Sequence, residues 1–211
     1  TTTTTTKDAP PRPATTTTAD SSSPHHSAYL VQRLQAQGTK PNLYGVAKFR
    51  VVADEIRKVQ LPEPRPVRVL DLGCSTSISR HYLDAELGGP EAFEYCGVDY
   101  EAAFEPDVVM DIRELAQRRA ELPWEPDVIL LLDVLEHLPG GADDVHRVMR
   151  ECEKLVPAHG RVLAVVPQLY RMDRLKLGWL HYPDHVVRFT LPEWTAIVED
   201  ALTNDDDDDT R

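Results

Sequence analysis

Four short runs in this chain are predominantly apolar on both faces: VRVLDLG (67–73), FEYCGVD (93–99), DVILLLD (127–133) and RVLAVVP (161–167). A strand that alternates apolar and polar residues can keep one face in water, whereas a run without a polar face has to be covered on both sides. Segments of helical period lie between the runs, at 77–87 (SISRHYLDAEL), 113–121 and 141–156. Strands that need two covers, alternating with helices able to supply them, specify a doubly wound α/β domain: a mostly parallel sheet with helices on both faces. One more strand is expected at 107–112 (DVVMDI). Thr190 followed by Glu193, with Pro192 in the first turn, predicts a capping box and a last helix running to about Ala201.

The flanks read differently. Residues 1–27 are Thr, Ser and Pro with almost nothing apolar, so ordering them costs chain entropy that no buried surface returns, and a disordered tail is expected. Residues 28–37 and 43–60 have helical spacing and are expected to form N-terminal helices, read as a lid or as ordinary packing helices, of a domain that spans 28–203 with its core at 67–203. The run at 204–211, NDDDDDTR, repels itself and reads as an acidic tail. Net charge is −12 with no block of Lys or Arg, which disfavours a nucleic acid partner. The three cysteines are scattered, without metal or disulfide spacing, and fit a reducing, cytoplasmic setting. No apolar run has the length of a membrane span, and no signal peptide is seen.

In a doubly wound sheet, ligands bind outside the carboxyl ends of the strands, and the first strand borders that crevice. VLDLGCSTS (69–77) therefore lies at its mouth. A dinucleotide loop needs a second glycine so that backbone can approach a pyrophosphate, but Ser75 stands in that place and Ser77 in the next. A nucleoside with a zwitterionic tail and no phosphate tolerates those side chains, and S-adenosylmethionine is such a ligand. Asp99, ending the second strand, is placed to accept both ribose hydroxyls, and Asp111, ending the third, to accept from an adenine amine. With Asp71, three carboxylates follow three successive strands. Tyr100 and Ile112, just after the latter two, could sandwich the purine or belong to the core.

From about 67 to 200 the chain resembles the class I S-adenosylmethionine-dependent methyltransferases, which have a Rossmann-like fold. VLDLGCSTS is similar to their first motif, GVD to the acidic second, DVILLLDVLEHL to the fourth-strand motif and GRVLAVVP to the fifth strand. The resemblance implies that Gly73, Cys74 and Ser75 cradle the methionine end, that Asp99 holds the ribose, and that Asp111 with Ile112 holds the adenine. The family closes its sheet with two further strands, which do not follow ALTN here. Either truncation or a homodimer covering the open edge is the expectation drawn from that difference.

Methyl transfer is an in-line displacement, so the protein chiefly aligns acceptor and methyl carbon and excludes water. A base is needed only where the acceptor loses a proton. DVLEHLP (133–139) supplies the candidates: Asp133 for the cofactor's amino group and His137 as general base, with Glu136 beside it. Glu136 and His137 read equally well as residues that begin or cap the next helix or face solvent. The loop 168–189, with Tyr170, Trp179, Tyr182, His181 and His185, is expected to wall a small-molecule methyl acceptor. The leading reading is transfer to oxygen or nitrogen, with no metal ligand assigned. DVLEHL followed by HYPDHVVRFT also resembles the small-RNA 3′-end 2′-O-methyltransferases and, in its first half, the ubiquinone-pathway O-methyltransferases. That resemblance implies a divalent ion held by such carboxylates and histidines, although Asp133 stands where the RNA enzymes have a longer Glu. A catalytically silent, methyltransferase-like binding module is the third reading.

Overall fold

The computed structural model describes residues 43–167 and 185–203. The expected helix at 28–37, the tails at 1–27 and 204–211, and most of the 168–189 loop, including Tyr170, Trp179, His181 and Tyr182, lie outside them. The chain order is α1 (Leu43–Arg57), β1 (Val67–Leu72), α2 (Ile78–Leu87), β2 (Phe93–Asp99), β3 (Val108–Val109), a short α3 (Leu115–Arg118), β4 (Val128–Leu132), α4 (Ala142–Leu155), β5 (Arg161–Val165) and α5 (Leu191–Thr203). The five strands form one sheet in the order β3-β2-β1-β4-β5, every pairing parallel. Among the described residues β5 pairs with β4 alone, and no helix is long and apolar enough to cross a membrane.

The sheet divides two cores with the period of two that a pleated strand imposes. Val69, Val128 and Leu130 point to the side where α1 packs through Phe49, Val52, Ala53 and Ile56. Leu70, Leu72, Ile129 and Leu131 point to the other side, against Val148, Met149 and Cys152 of α4 and Trp194 of α5. Each fully buried side chain of this size contributes about 1.5–3 kcal/mol, which makes the strands a rigid base for the loops at their carboxyl ends. Over its described half, the segment expected to be a lid packs on a face of the sheet. Lys48, on the margin of the buried stripe, reaches the carboxyl end of β4 at Asp133.

Two expectations change in detail. β3 is two residues long rather than six, because Asp107 turns its carboxylate onto Gly97 N–H (2.8 Å) and Asp111 leaves the ladder to cap a 3₁₀ turn at Ile112–Glu114. The charged helix expected at 113–121 is broken into that turn, α3 and a second turn at Arg119–Glu121. At the capping box the Glu193 carboxylate reaches back to Thr190 N–H (2.7 Å), while the Thr190 hydroxyl donates to the same carboxylate.

Candidate functional site

The first loop holds the conformation of a glycine-rich turn while carrying serines. Gly73, Ser75 and Ser77 all have positive φ (76°, 50° and 52°), a region that costs a residue with a Cβ roughly 1–2 kcal/mol. At Gly73 the absence of a side chain is required, since a Cβ would collide with the Val134 Cγ2 methyl and lie 2.9 Å from Val134 Cβ. The amides of Gly73 and Cys74 do not face a ligand as the cradle reading expects. Both donate to Val98 O, at 2.8 and 3.0 Å, and tie the loop to β2. The Cys74 side chain is buried against Gly97, where a Cβ would sit 2.8 Å from the sulfur, and burial pushes its thiol well above the ordinary value. It is a packing residue.

Asp71 likewise faces inward. It is buried, and the Ser79 hydroxyl and the Tyr95 phenol (2.6 Å) both donate to its Oδ2, joining β1, α2 and β2. Burial raises its pKa, against the lowering by those two hydrogen bonds and by the charge of Lys48. Asp71 therefore supports the loop rather than presenting an acceptor to the crevice.

Asp99 ends β2 as expected, but it is buried and already engaged. Its Oδ2 accepts from Ser75 N–H at 2.8 Å and its Oδ1 from Glu101 N–H at 2.9 Å, with Tyr100 N–H as a third backbone donor. A carboxylate has roughly four acceptor sites, which leaves space for one further donor instead of the expected pair. Burial raises the pKa of Asp99, opposed by these backbone donors. Tyr100 is exposed at the lip of the crevice. Ile112 is in the core beside Met110 and Leu115, so the purine-facing role read for it gives way to packing. Asp111 is taken by Arg113, whose Nη2 and Nε lie 2.5 and 3.1 Å from Oδ2. Burial would raise the Asp111 pKa, but the Arg113 hydrogen bonds and charge carry it below the usual range. Beside this pair opens a polar cleft of about 530 Å³, lined in part by Arg113, Arg118 and Arg147, each tied to a carboxylate.

The loop after β4 is built otherwise. Asp133 has φ 57°, and its amide donates to Val165 O (2.8 Å), a turn that ends the strand sharply. Its Oδ2 is 2.7 Å from Lys48 Nζ, so the expected place of a cofactor amine is held by an internal ammonium. The chain then makes a 3₁₀ turn at Leu135–His137, instead of the helix cap offered as an alternative for Glu136 and His137. Glu136 is 1% exposed, and among the described residues its Oε2 has no hydrogen-bond partner. Burial pushes its pKa up to about 7, with the Asp133 charge adding to the effect and the Lys48 charge opposing it.

Onto this turn the segment before α5 brings His185. Val187, buried in the core, donates its N–H to Glu136 O (2.9 Å), which sets His185 with Nε2 3.9 Å from Glu136 Oε1. The His137 and His185 rings meet edge to face with centroids 4.9 Å apart. One ligand atom from each of Glu136, His137 and His185 lies within 4.8 Å of the others. A buried, unpartnered carboxylate oxygen beside two imidazoles can take a proton or a cation, and as a donor set it fits a divalent ion. Lys48 is the residue that sequence reasoning missed. Its signal was a cation on the margin of the stripe formed by Phe49, Val52, Ala53 and Ile56.

The family model described as a methyltransferase domain matches residues 44–201. No curated protein matches the chain. Among solved structures, the plantazolicin methyltransferase BamL, in complex with a triazolic desmethylPZN analog and SAH, aligns with a TM-score of 0.58 at 13% identity, over 86% of this chain and 69% of that one. A candidate O-methyltransferase from Nostoc punctiforme aligns with a TM-score of 0.53 at 16% identity, over 86% of this chain and 56% of its own length. A SAM-dependent methyltransferase from Archaeoglobus fulgidus gives 0.51 at 19%, over 82% and 73%. The chain thus spans little more than half of the Nostoc protein, and likenesses at these identities establish the fold.

Proposed function

The chain belongs to the methyltransferase domain family, and from that premise we propose that it transfers a methyl group from S-adenosylmethionine to an oxygen or nitrogen of a small molecule. The donor supplies an electrophilic methyl on a sulfonium. The chain's part is to hold the acceptor in line with that methyl, keep water out and accept any proton the acceptor loses. Asp99 is the ribose contact in this reading, through its one remaining acceptor site, and Tyr100 flanks the adenine. His137 takes the acceptor proton, with His185 edge-on against it and Glu136 beneath. The observation that carries the acceptor side is the convergence of Glu136, His137 and His185 at the carboxyl end of β4.

The same observation favours a second reading, in which these three residues hold a divalent cation. Such an ion lowers the pKa of a bound acceptor hydroxyl, a stronger activation than a lone imidazole gives. The unpartnered Oε2 of Glu136 supports it. The net charge of −12 favours a small acceptor over RNA, the three buried free thiols suit a cytoplasmic setting, and the edge of β5 is a surface for a second copy.

Calorimetry with S-adenosylmethionine or S-adenosylhomocysteine tests the premise, since a chain with no affinity for either is not a methyl-transferring enzyme. Asp99→Ala is expected to weaken binding by about 1.5–3 kcal/mol, the loss of a hydrogen bond to a charged acceptor. Turnover with and without EDTA, in wild type and His137→Ala, separates the two activations. Chelator-resistant activity lost in His137→Ala identifies the base, and chelator-sensitive activity restored by Mg²⁺ or Mn²⁺ identifies the ion. Cofactor binding without turnover across a screen of acceptors identifies a binding module.

A further inference from the structure

Asp133 stands three residues before Glu136 at the end of the same strand, yet it is not part of the Glu136–His137–His185 group. Its carboxylate is turned to Lys48 of α1, with Oδ2 2.7 Å from Nζ. The Lys48 side chain is 13% exposed and that of Asp133 38%, so the ammonium is covered by its helix while the carboxylate keeps an open side. The ammonium also lies close enough to Glu136 and Asp71 for its charge to act on both. The Asp133 backbone is fixed by its N–H, which donates a hydrogen bond to Val165 O, so what can change is the direction of the side chain.

We propose that Lys48 sets the cation affinity of this loop: its ammonium holds Asp133 out of the Glu136–His137–His185 group and keeps a three-donor site from becoming a four-donor one. The inference rests on the cation-holding reading of that group. With Lys48 present, the Lys48–Asp133 pair is neutral and the group offers one carboxylate and two imidazoles. Without it, a second carboxylate is released close enough to Glu136 for its charge to act there, and a like charge near an entering cation is removed. Two carboxylates and two imidazoles form a set that divalent transition ions take readily, whereas one carboxylate and two imidazoles leave positions for acceptor or water. Lys48 thereby trades tight holding of the ion for open coordination.

Manganese binding to the purified chain tests this, followed by calorimetry and by the electron paramagnetic resonance signal of free Mn²⁺, with Co²⁺ absorption reporting the number of ligands. Lys48→Met is expected to tighten the Mn²⁺ Kd at least tenfold and to change the Co²⁺ spectrum. Asp133→Asn alone is expected to stay within about threefold of wild type, and the double variant Lys48→Met/Asp133→Asn to lose the gain. Lys48→Arg, which keeps the charge, should bind as wild type does. Far-ultraviolet circular dichroism and thermal melts establish that each variant is folded, and Lys48→Gln replaces Lys48→Met if the latter does not fold. A folded Lys48 variant that binds Mn²⁺ no more tightly than wild type overturns the proposal and leaves the cation reading intact. A gain that persists in the double variant overturns the route through Asp133. Failure of all variants to bind Mn²⁺ or Co²⁺ overturns the proposal together with the cation reading.

Discussion

Asp127 and Glu136 flank the same strand, β4, one at its amino end and one just past its carboxyl end, and both are 1% exposed. Asp127 is saturated with partners. Arg65 donates to both of its oxygens, at 2.6 and 2.8 Å, Arg68 N–H adds a bond of 2.9 Å, and His159 Nε2 lies 3.0 Å away. Glu136 has one oxygen with no partner among the described residues and a histidine 3.9 Å from the other. Burial disfavours both carboxylates, but at Asp127 the hydrogen bonds from Arg65, Arg68 and His159 outweigh it and lower the pKa, whereas at Glu136 burial wins and the pKa rises. Equal solvent exposure thus goes with opposite charge behaviour, and the difference separates a fastener from a site. At the amino end of β4 the acceptors of Asp127 are filled and the group can only hold the fold. At the carboxyl end acceptor capacity is left open, which costs stability and is the condition for binding anything.

The largest expected effect comes from emptying the fastener. Asp127→Ala leaves Arg65 and the Arg68 amide without their acceptor and should cost about 3–5 kcal/mol in urea unfolding. A loss under 1 kcal/mol would show that Asp127 is no more than a neutral surface pair.

The pH dependence of stability has opposite sign at the two residues. Glu136 has a folded pKa raised from 4.5 to about 7, so the stability it contributes is complete below about pH 4.5 and is lost as pH rises through about 7. In chelator-treated protein, wild type should therefore lose about 3 kcal/mol relative to Glu136→Gln between pH 4.5 and 7.5. Asp127 has a lowered folded pKa, so its contribution is present above its ordinary value of 3.8 and disappears as pH falls through the folded value. Parallel pH profiles for wild type and Glu136→Gln would remove Glu136 from the role of a strained carboxylate.

Smaller effects refine the comparison. Arg65→Lys keeps the charge but not the two-pronged geometry and should cost about 1 kcal/mol. His159→Gln, on the part-exposed rim of the same network, should cost less, about 0.5 kcal/mol, and a larger loss would make His159 a full partner.

The strands, their order of appearance and the last helix could be read from apolar runs and a capping box, because burial on both faces leaves a trace in every residue of a strand. The first loop was readable in position and only partly in detail. VLDLGCSTS marks the mouth of a crevice, but nothing local tells that Gly73 and Cys74 spend their amides on Val98 or that Asp71 is held by Ser79 and Tyr95. Asp111 was open in the sequence, since an Asp after a strand is compatible with a ligand and with the arginine two residues on, which the structure sets against it.

The sequence by itself determined the period of burial, the doubly wound class and the candidates Asp99, Asp133, Glu136 and His137, because those follow from residue type and spacing along one element. Only the tertiary structure decided which candidates are spent. It brought Lys48 from α1 to Asp133 across 85 positions and His185 to Glu136 across 49, and it set backbone donors on Asp99 that leave one acceptor site open. Hydrogen-bond capacity is exhausted by neighbours in space, and a sequence carries no record of which distant neighbour arrives.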